Sequence, residues 1–119
     1  MLEKPVLDKL ESLNTDKKKD VVIYGIEAHV CVKQTCFDLL EKNYNVTLVI
    51  DALSSMSYHD RTVAIEAMRD AGAQITTYQS LVFELCRNPQ IPEYKEILKL
   101  IKDMPSEHIH LHHSDIYNI

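Results

Sequence analysis

The sequence carries little positive charge. Its 13 lysines and arginines are outnumbered by 18 aspartates and glutamates, which gives a formal net charge of -5 and a pI of about 5.6. The only basic run, Lys17, Lys18 and Lys19, is flanked by Asp16 and Asp20, which favours a solvated turn over a phosphate-binding patch. A polyanionic partner such as a nucleic acid is therefore not expected.

Long apolar runs are also lacking. No stretch approaches the roughly 20 predominantly apolar residues that a membrane-spanning helix needs, so no membrane partner is expected. The N-terminal segment MLEKPVLDKL is amphipathic and contains acidic residues, unlike a secretory signal or an arginine-rich transit peptide. We expect an intracellular protein. The cytoplasm is favoured, and the mitochondrion or another organelle is left open.

Cysteine is scarce, with three residues at positions 31, 36 and 86, and no CxxC spacing typical of metal sites occurs. Cys31 and Cys36 are five positions apart, which on a helix separates them by roughly 140° around the axis, so they would not pair. An odd number of free thiols fits a reducing compartment. The length of 119 residues and 45% hydrophobic content suit one domain with a modest core.

Short apolar runs alternate with amphipathic stretches along the chain. The alternation predicts an α/β fold in which parallel strands are joined by right-handed crossovers, with the second strand central. Three strands with helices on both faces form a small sheet, resembling half of a three-layer, doubly wound (Rossmann-like) domain. The predicted strands are residues 21–25, 46–50 and 73–77. The predicted helices are residues 5–13, 31–42, 57–71 and 80–86, and a last helix with Pro92 in its first turn.

The segment GIEAHVCV, residues 25–32, joins the carboxyl end of a predicted strand to the start of a helix. Binding sites in open α/β sheets form at that edge. The Cys31 thiol would lie at a helix N-terminus, where the dipole favours the nucleophilic thiolate and free backbone N–H groups could bind an oxyanion. A lone cysteine near a helix start is also commonly a small core residue, so the residues alone leave both interpretations open.

GIEAHVCV resembles the nucleophile motif of the isochorismatase-like cysteine hydrolases, a superfamily that includes nicotinamidases. Further blocks resemble the isochorismatase domain-containing proteins, and the resemblance covers most of residues 1–102. It implies that residues 1–105 are the C-terminal portion of such a domain and that residues 106–119 form a tail. The blocks are Asp51-Ala52, Ser54-Ser55, Asp60-Arg61, Gly72-Ala73, Thr76-Thr77, Tyr94-Lys95-Glu96-Ile97 and Leu100-Ile101-Lys102.

The resemblance also implies a site. Cys31 would be the catalytic nucleophile, attacking a carbonyl or related carbon of a small amide, imide or vinyl ether. A cis peptide would join Ile26 to Glu27, and the backbone N–H groups of Glu27 and Cys31 would form the oxyanion hole. Ile26, Ala28 and His29 are candidate pocket residues. We expect a small-molecule substrate, no cofactor, no metal and a homo-oligomer.

The resemblance is incomplete in ways that leave enzymatic activity open. The Asp and Lys that complete the family's catalytic group would match positions before Met1, and no Asp or Lys of this sequence can be assigned to those roles. Tyr78-Gln79 stands where relatives often have Ser-Glu. Two hypotheses follow: a cysteine hydrolase present as a partial domain and inactive alone, or a non-catalytic shortened isoform or remnant that acts as an interaction module.

The C-terminal tail contains alternating histidines at positions 108, 110 and 112, which would share one face if the tail were extended. A zinc site needs fixed geometry and usually four ligands, and nothing else nearby supplies these. A solvated tail is therefore favoured over a metal site.

Overall fold

The computed structural model describes residues 2–13 and 19–104. It divides into two compact units, of which the first ends at Thr77 and the second begins at Tyr78. The predicted tail of residues 106–119, with its histidines, lies outside the described residues. None of the helices in the part that is described is both long and apolar enough to cross a bilayer.

The described part of the first unit contains a parallel three-stranded sheet. Its strands are β1 (Asp20–Gly25), β2 (Asn45–Leu53) and β3 (Gln74–Thr76), in the order β1-β2-β3. Val22 pairs with Thr47, and Thr47 pairs in turn with Gln74. The predicted α/β class, strand order and parallel pairing are confirmed. The observed β2 continues three residues past its predicted end, and β3 is shorter than predicted.

Helices lie before and between these strands. In the first unit they are α1 (Lys4–Ser12), α2 (Lys33–Glu41) and α3 (Tyr58–Asp70). The helices α2 and α3 pack against each other, as expected when successive right-handed crossovers place their helices on one face of a sheet. Ser57 is the N-cap of α3, because its hydroxyl accepts a hydrogen bond from the Asp60 N–H at 3.4 Å.

Each of the two crossover helices, α2 and α3, is followed by a residue with positive φ. Asn43 follows α2 with φ 67°, and Gly72 follows α3 with φ 117°. The next N–H in each case turns back to a helix carbonyl, from Tyr44 to Leu39 at 3.0 Å after α2. This reversal directs the chain into the following strand.

The core of the first unit is formed by β2 with α2 and α3. Leu48 on β2 is fully buried and in register with Ile23 of β1 and Ile75 of β3. Leu39 of α2 and Met68 of α3 are buried to the same degree. Burial of these side chains is the main stabilising term available to so short a chain.

The second unit contains α4 (Tyr78–Leu85) and α5 (Tyr94–Lys102). The rings of Phe83 and Tyr94 have centroids 6.3 Å apart and planes tilted by 55°, a favourable aromatic geometry. The prediction that Pro92 lies in the first turn of the last helix is wrong, because Pro92 lies one residue before the N-cap, Glu93, and two before the first helical residue, Tyr94.

Strand β1 leaves one edge of the described sheet open. It is apolar after Asp20, and the side chains of Val22 and Tyr24 are 40% and 68% exposed. No Pro or Lys lies within the strand to discourage pairing with another chain. We therefore expect the purified chain to self-associate through β1, as oligomers or as aggregates.

Size-exclusion chromatography with light scattering over a dilution series measures this association. Val22→Lys places a charge on the edge strand and should shift the population towards monomer. Val63→Lys adds the same charge at a 60% exposed position on α3 and should not. A wild-type chain that elutes as a 13.7 kDa monomer at every concentration would contradict the expectation.

Candidate active site

The candidate site begins where β1 ends. Gly25 has φ 125°, a conformation that glycine adopts readily and L side chains rarely do. The peptide bond between Ile26 and Glu27 is cis, at the position implied by the resemblance. Residues 25–32 are called the Cys31 turn below.

The sequence predicted Cys31 at the start of an α-helix. The structure instead places Cys31 in a π-helical turn, Ala28–Val32, which precedes α2. The N–H groups of Val30 and Val32 both donate to the Glu27 carbonyl, at 3.1 and 3.2 Å. The second of these bonds spans five residues and widens the turn. Turns of this kind are frequent at functional sites, and a 3.6-residue periodicity cannot reveal them.

Backbone hydrogen bonds join the Cys31 turn to the chain that leaves β2. The Ser54 N–H donates to the Gly25 carbonyl at 3.1 Å, and the Ala28 N–H donates to the Ser54 carbonyl at 2.8 Å. These bonds become possible because β2 extends to Leu53, which pairs with Gly25 beyond an irregularity in the strand register. The carboxyl ends of β1 and β2 are thereby fixed to each other.

Side chains of the Cys31 turn reinforce this junction. The Glu27 carboxylate accepts a hydrogen bond from the Met56 N–H at 2.9 Å. The His29 Nδ1 lies 2.9 Å from the Ser55 Oγ. The same ring has a carboxylate oxygen on either side, with Glu27 Oε2 3.8 Å from Nδ1 and Asp60 Oδ2 3.9 Å from Nε2. Among residues 2–13 and 19–104, no group of three or more His, Cys, Asp or Glu side chains is arranged so that it could hold a metal ion.

Arg61 holds the end of β2 from the side of α3. Its Nε donates to the Leu53 carbonyl at 2.9 Å, and its Nη2 donates to the Ile50 carbonyl. The guanidinium thus binds backbone carbonyls of the strand, while the Asp60 N–H donates to the Ser57 hydroxyl and the Asp60 carboxylate faces His29.

The predicted site residues fall into two groups. Cys31 is exposed, Ile26 is 68% exposed, and His29 is half-buried. Ala28 is fully buried and its N–H is bonded to Ser54, so its side chain supports the turn from within the core. In the described part of the chain, the N–H groups of Glu27 and Cys31 donate no hydrogen bond to a residue outside the π-helical turn.

The three thiols differ in environment. Cys36 is fully buried within α2, and this burial raises the pKa of its thiol to about 11. Cys86 is half-buried and follows α4, whereas Cys31 is exposed. Because the thiolate is the reactive form, we predict that Cys36 resists alkylation in the folded chain at neutral pH. Mass spectrometry of iodoacetamide-treated protein measures this, and labelling of Cys36 as fast as that of Cys86 would contradict it.

The raised pKa of Cys36 also predicts a pH dependence of stability. The folded state favours the neutral thiol, so this contribution is complete below the ordinary value of 9.0 and is lost as pH rises towards about 11. Wild type should therefore lose stability over that interval relative to Cys36→Ala, which has no thiol to titrate. Urea unfolding of both chains at several pH values measures the difference. A constant difference would contradict the prediction.

Comparison with known proteins adds independent information. The family model described as "Isochorismatase domain" matches residues 6–80. The chain is 44% identical over 99 residues to "Secreted isochorismatase effector Isc1" of Phytophthora sojae, covering 83% of this chain and 47% of that protein. It is 40% identical over 99 residues to "Isochorismatase domain-containing protein 2A" of Mus musculus, covering 83% and 48%.

A solved structure has the same fold. The MAR1 ribonuclease from Caenorhabditis elegans superimposes with a TM-score of 0.77 and 41% identity, over 89% of this chain and 53% of that one. The chain thus spans about half the length of the relatives that it matches. On the matched family model and these identities, the chain belongs to the isochorismatase family.

Proposed function

We propose that this chain carries the nucleophile portion of an isochorismatase-like cysteine hydrolase, with Cys31 as the catalytic residue. The observation that carries the proposal is the position of Cys31. It is an exposed thiol at the carboxyl edge of the sheet, on a turn that several hydrogen bonds fix to the adjacent strand. Sites in open α/β sheets form at this edge.

The proposed substrate is a small amide, imide or vinyl ether. For an amide, the Cys31 thiolate attacks the carbonyl carbon, and the N–H groups of Glu27 and Cys31 stabilise the oxyanion. The C–N bond then breaks, the amine leaves with a proton, and a thioester remains on Cys31. Water hydrolyses the thioester to the acid and restores the thiol.

We propose that the 119 residues alone do not complete this reaction on an amide. No Asp or Lys of this sequence is assigned to the roles of the family's catalytic Asp and Lys. In the family the Asp takes the proton of the thiol, and general-base assistance is worth on the order of 10²–10⁴-fold in rate. An activated ester needs less assistance, because its leaving group departs as a stable anion. The first half of the reaction is therefore accessible with such a substrate.

The test uses p-nitrophenyl acetate with the purified chain. We expect release of about one nitrophenolate per chain, with acetyl transfer to Cys31 located by mass spectrometry, and no measurable hydrolysis of nicotinamide or isochorismate. Cys31→Ala should abolish the stoichiometric release, and Cys86→Ala should retain it. Acetyl transfer to another residue would refute the role of Cys31. Robust amide hydrolysis would refute the proposed dependence on a base outside this chain.

RNA is not proposed as a substrate, although the C. elegans protein is named a ribonuclease. Contacts between basic side chains and phosphates supply a large share of a protein's affinity for nucleic acids. This chain has a net charge of -5, and its basic run is flanked by acidic residues. Salt-dependent binding of a single-stranded RNA to the purified chain would overturn this part of the proposal.

A further inference from the structure

We propose that Glu27 and His29 are positioning residues for Cys31, acting through the segment of residues 54–56. Their side chains hold this segment against the Cys31 turn, and the segment then forms one wall of the substrate site. The inference rests on the proposed function of Cys31. It adds a role for two side chains whose sequence-based interpretation was a backbone donor and a pocket residue.

The geometry of the junction supports this role. Three consecutive residues of the segment are each held by the turn: Ser54 by backbone bonds, Ser55 by the His29 ring, and Met56 by the Glu27 carboxylate. The last bond joins an ionised acceptor to a backbone N–H, which makes it stronger than a neutral hydrogen bond. The side chains of Glu27 and His29 are 29% and 28% exposed. The bond between His29 and Ser55 is partly buried, whereas the bond between Glu27 and Met56 is exposed to solvent.

Carboxylate oxygens lie near both ring nitrogens of His29, with Glu27 Oε2 3.8 Å from Nδ1 and Asp60 Oδ2 3.9 Å from Nε2. Whichever nitrogen carries the proton, Nδ1 and the Ser55 hydroxyl can form a hydrogen bond, because a hydroxyl both donates and accepts. Asp60 is itself 57% exposed, so its attraction is weakened by solvent, and the Ser55 contact is the stronger restraint.

The link to reactivity is the backbone of the turn. Glu27 supplies both the carboxylate that binds Met56 and one of the proposed oxyanion N–H groups, so the bond to Met56 restrains the residue that carries the donor. Its carbonyl anchors Val30 and Val32, the residues on either side of Cys31. Small displacements of oriented groups reduce rates strongly, so loosening the 54–56 segment should slow acylation of Cys31.

The test compares variants in the p-nitrophenyl acetate reaction. Glu27→Ala removes the acceptor for the Met56 N–H and should slow acetyl transfer to Cys31 about tenfold or more. Glu27→Gln keeps an oxygen in that place and should recover most of the rate. Glu41→Ala removes an exposed carboxylate at the end of α2 and serves as the matched control. Hydrogen exchange of the Met56 amide is measured in parallel. It should accelerate in Glu27→Ala but not in Glu27→Gln or Glu41→Ala.

His29→Ala decides the question if Glu27→Ala does not fold, because it removes only the Ser55 contact and should also slow acetyl transfer. A folded Glu27→Ala or His29→Ala that reacts at the wild-type rate would overturn the proposal. Unchanged exchange of the Met56 amide in Glu27→Ala would overturn it as well. A wild-type chain that forms no adduct on Cys31 refutes the proposed function itself, a result distinct from unequal variants of a reactive wild type.

Discussion

Leu48→Ala is expected to lower the free energy of unfolding by about 2–5 kcal/mol. Leu48 is fully buried on the central strand, with Ile23 and Ile75 in register on either side. The substitution removes apolar contacts and leaves a cavity between strands and helices that can relax only in part. In a chain with so small a core, this is a large fraction of the total stability.

Urea unfolding followed by circular dichroism measures the effect as a lower midpoint with an unchanged slope. Val63→Ala is the control, because Val63 is 60% exposed on α3 and its loss should change the unfolding free energy by no more than about 0.5 kcal/mol. Equal midpoints for Leu48→Ala and Val63→Ala would show that β2 is not the centre of the core.

Gly25→Ala is expected to cost about 1–3 kcal/mol of stability and to slow alkylation of Cys31. A Cβ at position 25 would meet no atom within 4 Å, so the cost comes from the backbone conformation at φ 125° and not from crowding. Any relaxation of that φ shifts the start of the Cys31 turn and its bond with Ser54.

Gly72→Ala provides the matched comparison. Its φ is 117°, and its Cβ would lie 4.0 Å from Leu40 Cδ2, an ordinary contact. The two variants should therefore lose similar stability, but only Gly25→Ala should slow the reaction of Cys31 with iodoacetamide under folding conditions. Equal alkylation rates in both variants would contradict the dependence of the thiol on the turn geometry.

Much of the architecture follows from local patterns in the sequence. Buried runs such as Val46–Ile50 and the cap at Ser57 express preferences of a few adjacent residues, so strand order and the start of α3 could be predicted. The position of Cys31 at the carboxyl edge of the sheet follows from the same patterns. The cis peptide at Glu27 was implied by the family resemblance alone.

The hydrogen bonds that build the site could not be predicted in this way. Contacts of Glu27 with Met56 and of Arg61 with Leu53 join residues whose proximity depends on how far β2 continues and on the register of β1 beside it. Such distances are set by the packing of several elements together. The π-helical turn around Cys31 likewise departs from the periodicity on which helix prediction depends.

The central claim is that Cys31 is the nucleophile, and the most direct test is a competition among the three cysteines of the native chain. Iodoacetamide is added in limiting amount at neutral pH, and mass spectrometry follows the label at each site in folded and urea-unfolded protein. We predict that Cys31 reacts faster than Cys36 and Cys86 in the folded chain, and that the three rates converge on unfolding. Faster labelling of Cys36 or Cys86 in the folded chain would contradict the account.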